Sequence, residues 1–110
     1  MTKLAILAAI AAATLFVQPH IAVADEVPTL DVRSSCRAAA QAYPGGGGNA
    51  ACLADEQKAR DTLVSQWTQF APESRARCSQ MVTNIAGAQS YVELLSCLQV
   101  AKDVKTLPKE

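Results

Sequence analysis

Residues 52–72 read CLADEQKARDTLVSQWTQFAP, and this stretch decides the fold. Cys52, Glu56, Ala59, Leu63, Trp67 and Phe70 recur at three- and four-residue spacing, which is one face of an α-helix. Val64 and Ala71 flank that stripe, and Glu56 is its polar exception. Asn49 is a good residue to cap the helix, because its side chain can accept a hydrogen bond from an early backbone N–H. The helix is expected to run to about Ala71. Pro72 then suits the first position of the next helix, where a missing N–H costs nothing. Asp55 and Glu56 fall in the first turns, where the helix dipole favours acids. Glu56 precedes Arg60 by four residues, so the two are expected to form a surface pair worth ~0.3 kcal/mol.

Outward from this helix, the pattern repeats on both sides. Residues 25–30 form an irregular lead-in. Asp31 is placed to cap a first helix, with Val32, Cys36, Ala39, Ala40 and Tyr43 on its stripe. Pro44 and the glycines Gly45 to Gly48 end that helix, and four glycines in a row read as a flexible connector. Beyond Pro72, Cys78, Met81, Val82 and Ile85 give a third apolar face, with Gly87 as its stop. Ser90 and Glu93 have the capping-box spacing. A fourth stripe follows, Tyr91, Leu94, Leu95, Leu98 and Ala101, with Cys97 beside it. Lys102 and Lys105 lie near its C-terminus, where cations are favoured, and residues 106–110 are expected to fray. No stretch alternates long enough to be a strand. The fold class is therefore all-α, a small bundle of about four helices packed as hairpins. Its core is expected to gather Leu63, Trp67, Phe70, Met81, Leu95 and Leu98, with the tyrosines Tyr43 and Tyr91 also inside.

The N-terminus has a different character. Met1-Thr2-Lys3 is a short basic start, residues 4–17 are apolar and uncharged, and Pro19 precedes the small-x-small site Ala22-Val23-Ala24. This is the grammar of a cleavable signal peptide, residues 1–24, cut after Ala24. The apolar run is shorter than the ~20 residues that span a bilayer. Residues 25–110 are then the working domain, periplasmic or secreted, with no stable membrane insertion after cleavage. The cut removes Lys3 and His20, leaving nine basic against ten acidic residues and no histidine. Such a near-neutral chain has no electrostatic footprint for nucleic acid.

Four cysteines remain, Cys36, Cys52, Cys78 and Cys97, and an even count in a short exported chain reads as two disulfides. Helix geometry chooses among the three pairings. In an up-down bundle rising ~1.5 Å per residue, Cys52 lies ~5 Å and Cys36 ~10 Å above the Gly corner. Cys78 and Cys97 share a level near ~24 Å. A disulfide needs Cα atoms within ~7 Å, so only Cys36–Cys52 and Cys78–Cys97 meet the requirement. Each closes a loop of under twenty residues, worth ~3 kcal/mol in the loop-entropy picture. A break of the second helix near Ser65 would reopen the choice.

The remaining residues exclude several chemistries. Without histidine the domain has no Ser–His or Cys–His pair. Its serines, Ser34, Ser35, Ser65, Ser74, Ser79, Ser90 and Ser96, sit in no nucleophile-elbow pattern and read as surface or capping residues. Asp55 and Glu56 are adjacent, point apart on a helix, and read as solvated acids. No Cys-x-x-Cys occurs, and oxidised cysteines do not hold zinc. The Gly tetrad lacks the Lys-Ser/Thr of a phosphate loop. No catalytic residue, metal or cofactor is expected. Arg33 with Arg37, and Arg75 with Lys58 or Arg60, could face an acidic partner; the plainer reading is a solvated surface.

The segments Leu30-Asp31-Val32 with Cys36-Arg37-Ala38-Ala39, Cys52 through Arg60, Trp67 with Phe70, and Ser90 through Leu98 resemble small exported four-cysteine proteins of rhizobium-type Alphaproteobacteria. That group has no assigned activity, so the resemblance implies export and a cysteine framework only. Residues 51–67 also resemble the cysteine-containing helix of LprI-type lysozyme inhibitors. By subtraction, the expected function is a non-enzymatic periplasmic binding or interaction module with a protein partner in the cell envelope, an inhibitor of an envelope hydrolase being one form. The alternative is an acid-responsive envelope chaperone, in which protonated carboxylates leave nine cations to repel one another.

Overall fold

A computed structural model describes residues 26–85 and 87–109. The leader expected over residues 1–24, with its expected cut after Ala24, lies outside the described residues. Four helices follow in order: α1 (Val32–Ala42), α2 (Gly48–Gln66), α3 (Pro72–Thr83) and α4 (Tyr91–Thr106). A single 3₁₀ turn, Trp67–Gln69, ends α2. No strand occurs among the described residues. The chain is an all-α bundle, as its periodicity predicts.

The two disulfides are those the helix register selects. Cys36–Cys52 ties α1 to α2, with Cα atoms 5.5 Å apart. Cys78–Cys97 ties α3 to α4, at 5.8 Å. Each bridge joins sequential helices close to their shared corner, so the pairing depends on local register and tolerates the tightened end of α2.

That end differs from expectation. The α-helix stops at Gln66 rather than near Ala71, and Phe70 is extended with its N–H bonded to the Trp67 carbonyl. The tighter turn still aims Leu63, Trp67 and Phe70 inward, and all three are buried. Pro72 is at the start of α3, where its missing N–H leaves no bond unmade.

Two other caps also differ. Asn49 lies inside α2, whose N-cap is Gly47; Gly47 and Gly48 hold φ of 91° and 80°, which other residues resist. The glycine run is therefore a shaped turn at its second half, not only a slack connector. Asp31 makes no side-chain cap on α1. Its backbone N–H donates to Gln89 Oε1 at 2.8 Å, and Ser35 Oγ donates to the Gln89 carbonyl at 2.5 Å. Gln89, in the α3–α4 turn, thus holds the start of α1 from across the molecule. The α3 helix ends at Thr83 with Asn84 as C-cap, so Gly87 serves the turn beyond and is not the stop.

The core comprises Leu30, Ala59, Leu63, Trp67, Phe70, Cys78, Val82, Tyr91, Leu94 and Leu98, with Val27, Val32, Leu95 and Cys97 packed against it. The lead-in contributes more than expected. Leu30 is buried, and its N–H donates to the Tyr91 hydroxyl at 3.0 Å. A buried tyrosine needs a partner for its polar tip, and this long-range bond supplies it. Three residues placed inside by periodicity are outside: Tyr43, Met81 and Ile85. Tyr43 and Ile85 lie past the last residues of α1 and α3, and Met81 sits beside the face on which Cys78 and Val82 are buried. The α2 helix packs chiefly on α1 and α4, and α3 chiefly on α4, so α2 and α4 form the central pair.

Candidate functional site

The second-helix acid Glu56 is the residue that sequence reasoning placed wrongly. It is only 5% exposed and forms no surface pair with Arg60. Its carboxylate instead sits on the N-terminus of α4. Ser90 Oγ donates to Oε1 at 2.5 Å. The backbone N–H groups of Tyr91 and Val92 donate to Oε2 at 2.6 and 3.3 Å. The first N–H groups of any helix lack intrahelical partners, and the dipole there favours an anion. Ser90 completes the cap by accepting from the Glu93 N–H at 3.2 Å, the bond the capping-box spacing predicts. The carboxylate at this N-terminus, however, comes from 34 residues upstream rather than from Glu93.

This cap forms the base of a groove of about 530 Å³. One wall is α1, through Ala39, Ala40 and Tyr43. The other is the start of α2 and of α4, through Ala51, Cys52, Asp55 and Val92, with Gly46 and Gly48 closing one end. Small side chains on both helices keep it open, and the Cys36–Cys52 bridge fixes its width. Tyr43, the C-cap of α1, stands at the rim, 74% exposed. Asp55 is exposed on the same side, as expected, and the lining contains no cationic residue.

The other sequence candidates are dispersed. Arg33, Arg37, Lys58 and Arg60 are exposed. The Arg75 guanidinium lies 5.7 Å from the centroid of the Trp67 ring, within cation–π range, and Arg60 borders a depression with the same tryptophan. Arg75 Nε and the nearby Ser79 Oγ, one helical turn on, are buried without a hydrogen-bond partner. Among the described residues, no group of three His, Cys, Asp or Glu side chains is arranged to hold a metal ion. No helix of the described residues is long and apolar enough to cross a membrane.

Sequence reasoning missed Glu56, Gln89 and Leu30. For Glu56 a signal was present: an acid on the inward stripe of an amphipathic helix must find donors or leave the interior. Gln89 and Leu30 gave no comparable sign, since their partners, Asp31 and Ser35 for the one and Tyr91 for the other, lie 54 to 61 residues away.

The fold and its groove define a small disulfide-bonded helical bundle of the kind oxidising compartments produce. Comparison with known protein families, curated proteins and solved structures finds no match to this chain.

Proposed function

We propose that this chain is a non-enzymatic interaction module of the periplasm or exterior, which binds an envelope protein through the groove between α1, α2 and the start of α4. The observation that carries this reading is Tyr43. A tyrosine at the rim of a preformed, disulfide-braced groove offers large contact area at low entropic cost. Above the Glu56–Ser90 cap at its base, the groove walls carry Ala39, Ala40, Ala51, Cys52 and Val92, so they suit an inserted apolar side chain. Asp55 beside it favours a partner that is basic at the contact. Inhibition of a cell-wall hydrolase is the specific form proposed, and the likeness of residues 51–67 to LprI-type inhibitors supports it.

The test is site-specific photo-crosslinking in the host envelope. A photoreactive phenylalanine analogue replaces Tyr43 in one variant and Arg37, outside the groove, in another. The expected result is a discrete adduct from position 43 that is absent from position 37. Its partner should be purified, and Tyr43→Ala should weaken binding at least about tenfold while leaving the circular dichroism spectrum unchanged. Adducts of equal yield from both positions, or a Tyr43→Ala variant that binds as well as the parent, would refute the reading.

A further inference from the structure

A second surface lies on the α3–α4 hairpin. Two depressions, of about 470 and 330 Å³, both border Cys97 and together run along the hairpin over its disulfide. Neither shares a lining residue with the Tyr43 groove. Around them Met81 of α3, Ile85 just after it, Val100 and Val104 of α4, and Leu107 just beyond α4 are 58–64% exposed. On α4, Val100 and Val104 follow Cys97 at helical spacing, with Leu107 at the C-cap, so they form a stripe distinct from the buried one of Leu94 and Leu98. Five such side chains expose on the order of 500 Å², more than half of the ~800 Å² that each partner covers in a standard interface.

The charges on this face are divided between its ends. Arg77 and Lys105 border one depression together with Glu73, giving that end one net positive charge. Glu93 borders the other, giving that end one negative charge. An anionic membrane surface favours a uniformly basic face, which this is not. A two-fold axis, by contrast, places each end of a face against the opposite end of its copy. The charge split is then complementary to itself. The disulfide at its centre holds both helices in place, so little ordering is lost on association.

We propose that the α3–α4 face is a self-association surface: two copies pack across a two-fold axis, the Arg77 and Lys105 end of one over the Glu93 end of the other, with the five apolar side chains between. The two Tyr43 grooves remain uncovered, so this inference stands whether or not those grooves bind a partner.

The test uses the oxidised chain, expressed with its own leader and purified, in sedimentation equilibrium over about 1–500 μM. The expected result is a monomer–dimer equilibrium. Val100→Glu, at an exposed site that leaves the fold intact by circular dichroism, should weaken it at least about tenfold. Arg77→Glu and Glu93→Arg should each weaken self-association, because each sets like charges against one another. Mixed in equal amounts, the two single variants should form a heterodimer, and the double variant should recover the parent affinity to within about threefold. A chain that stays monomeric to ~500 μM would overturn the proposal, whether the face then binds vesicles, an unfolded client or nothing. So would a dimer indifferent to Val100→Glu, or charge variants that do not rescue each other.

Discussion

Replacing Glu56 by alanine removes the one carboxylate that caps α4. The structure sets the size of the effect. Three donors lose their acceptor: Ser90 Oγ, the Tyr91 N–H and the Val92 N–H. Val92 is exposed and water can replace its partner, but Ser90 and Tyr91 are buried. Each of the two buried donors left unpaired costs about 1–3 kcal/mol, so Glu56→Ala should lose about 2–6 kcal/mol. In a domain of this size 1 kcal/mol moves Tm by about 4–8 °C, which makes the fall on the order of 10–50 °C. Glu56→Gln keeps an acceptor but loses the charge at the helix N-terminus, and should cost about 1–2 kcal/mol. The assay is urea unfolding of the oxidised protein at pH 7, followed by circular dichroism. Asp55→Ala is the internal control: it removes the neighbouring but exposed acid and should stay within about 0.5 kcal/mol of the parent. Arg60→Ala should likewise be near neutral and additive with Glu56→Ala, because the two residues are not paired. A Glu56→Ala loss below about 1 kcal/mol, or equal to that of Asp55→Ala, would refute the cap as the role of this residue.

Tyr91→Phe deletes the hydroxyl that receives the Leu30 N–H and should destabilise by about 1–2 kcal/mol; hydrogen exchange should show the Leu30 amide losing protection while the α2 amides keep theirs. Leu94→Ala or Leu98→Ala, at fully buried positions, should cost about 2–5 kcal/mol in the same urea assay, whereas Met81→Ala, at an exposed one, should cost under about 1 kcal/mol. Non-reducing peptide mapping should recover only the Cys36–Cys52 and Cys78–Cys97 linked pairs, and replacing either pair by alanine should cost about 3 kcal/mol.

The amino-acid sequence by itself determined the helices, their approximate ends and the two disulfides. These depend on neighbours in the chain. A stripe at 3.6-residue spacing, a proline at the first position of α3 and a serine three residues before an α4 N–H are complete within one or two turns. The cysteine pairing was equally legible, because each bridge spans one corner and needs only the register of two consecutive helices.

Only the tertiary structure decided which parts of those stripes are covered. Periodicity says which side of a helix is apolar, not how much of that side a neighbour covers. Tyr43 and Ile85 lie past the last residues of α1 and α3, and Met81 is exposed beside the buried Val82; from that exposure come the groove rim and part of the second face. The inward acid shows the same division. Local rules gave Glu56 a surface partner four residues away, while packing α2 against α4 presented it with helix-end donors 34 to 36 residues on. Local charge pairs are worth tenths of a kcal/mol, and buried donors without an acceptor cost several times more. The long-range contact therefore prevails, and no reading of a single helix contains it.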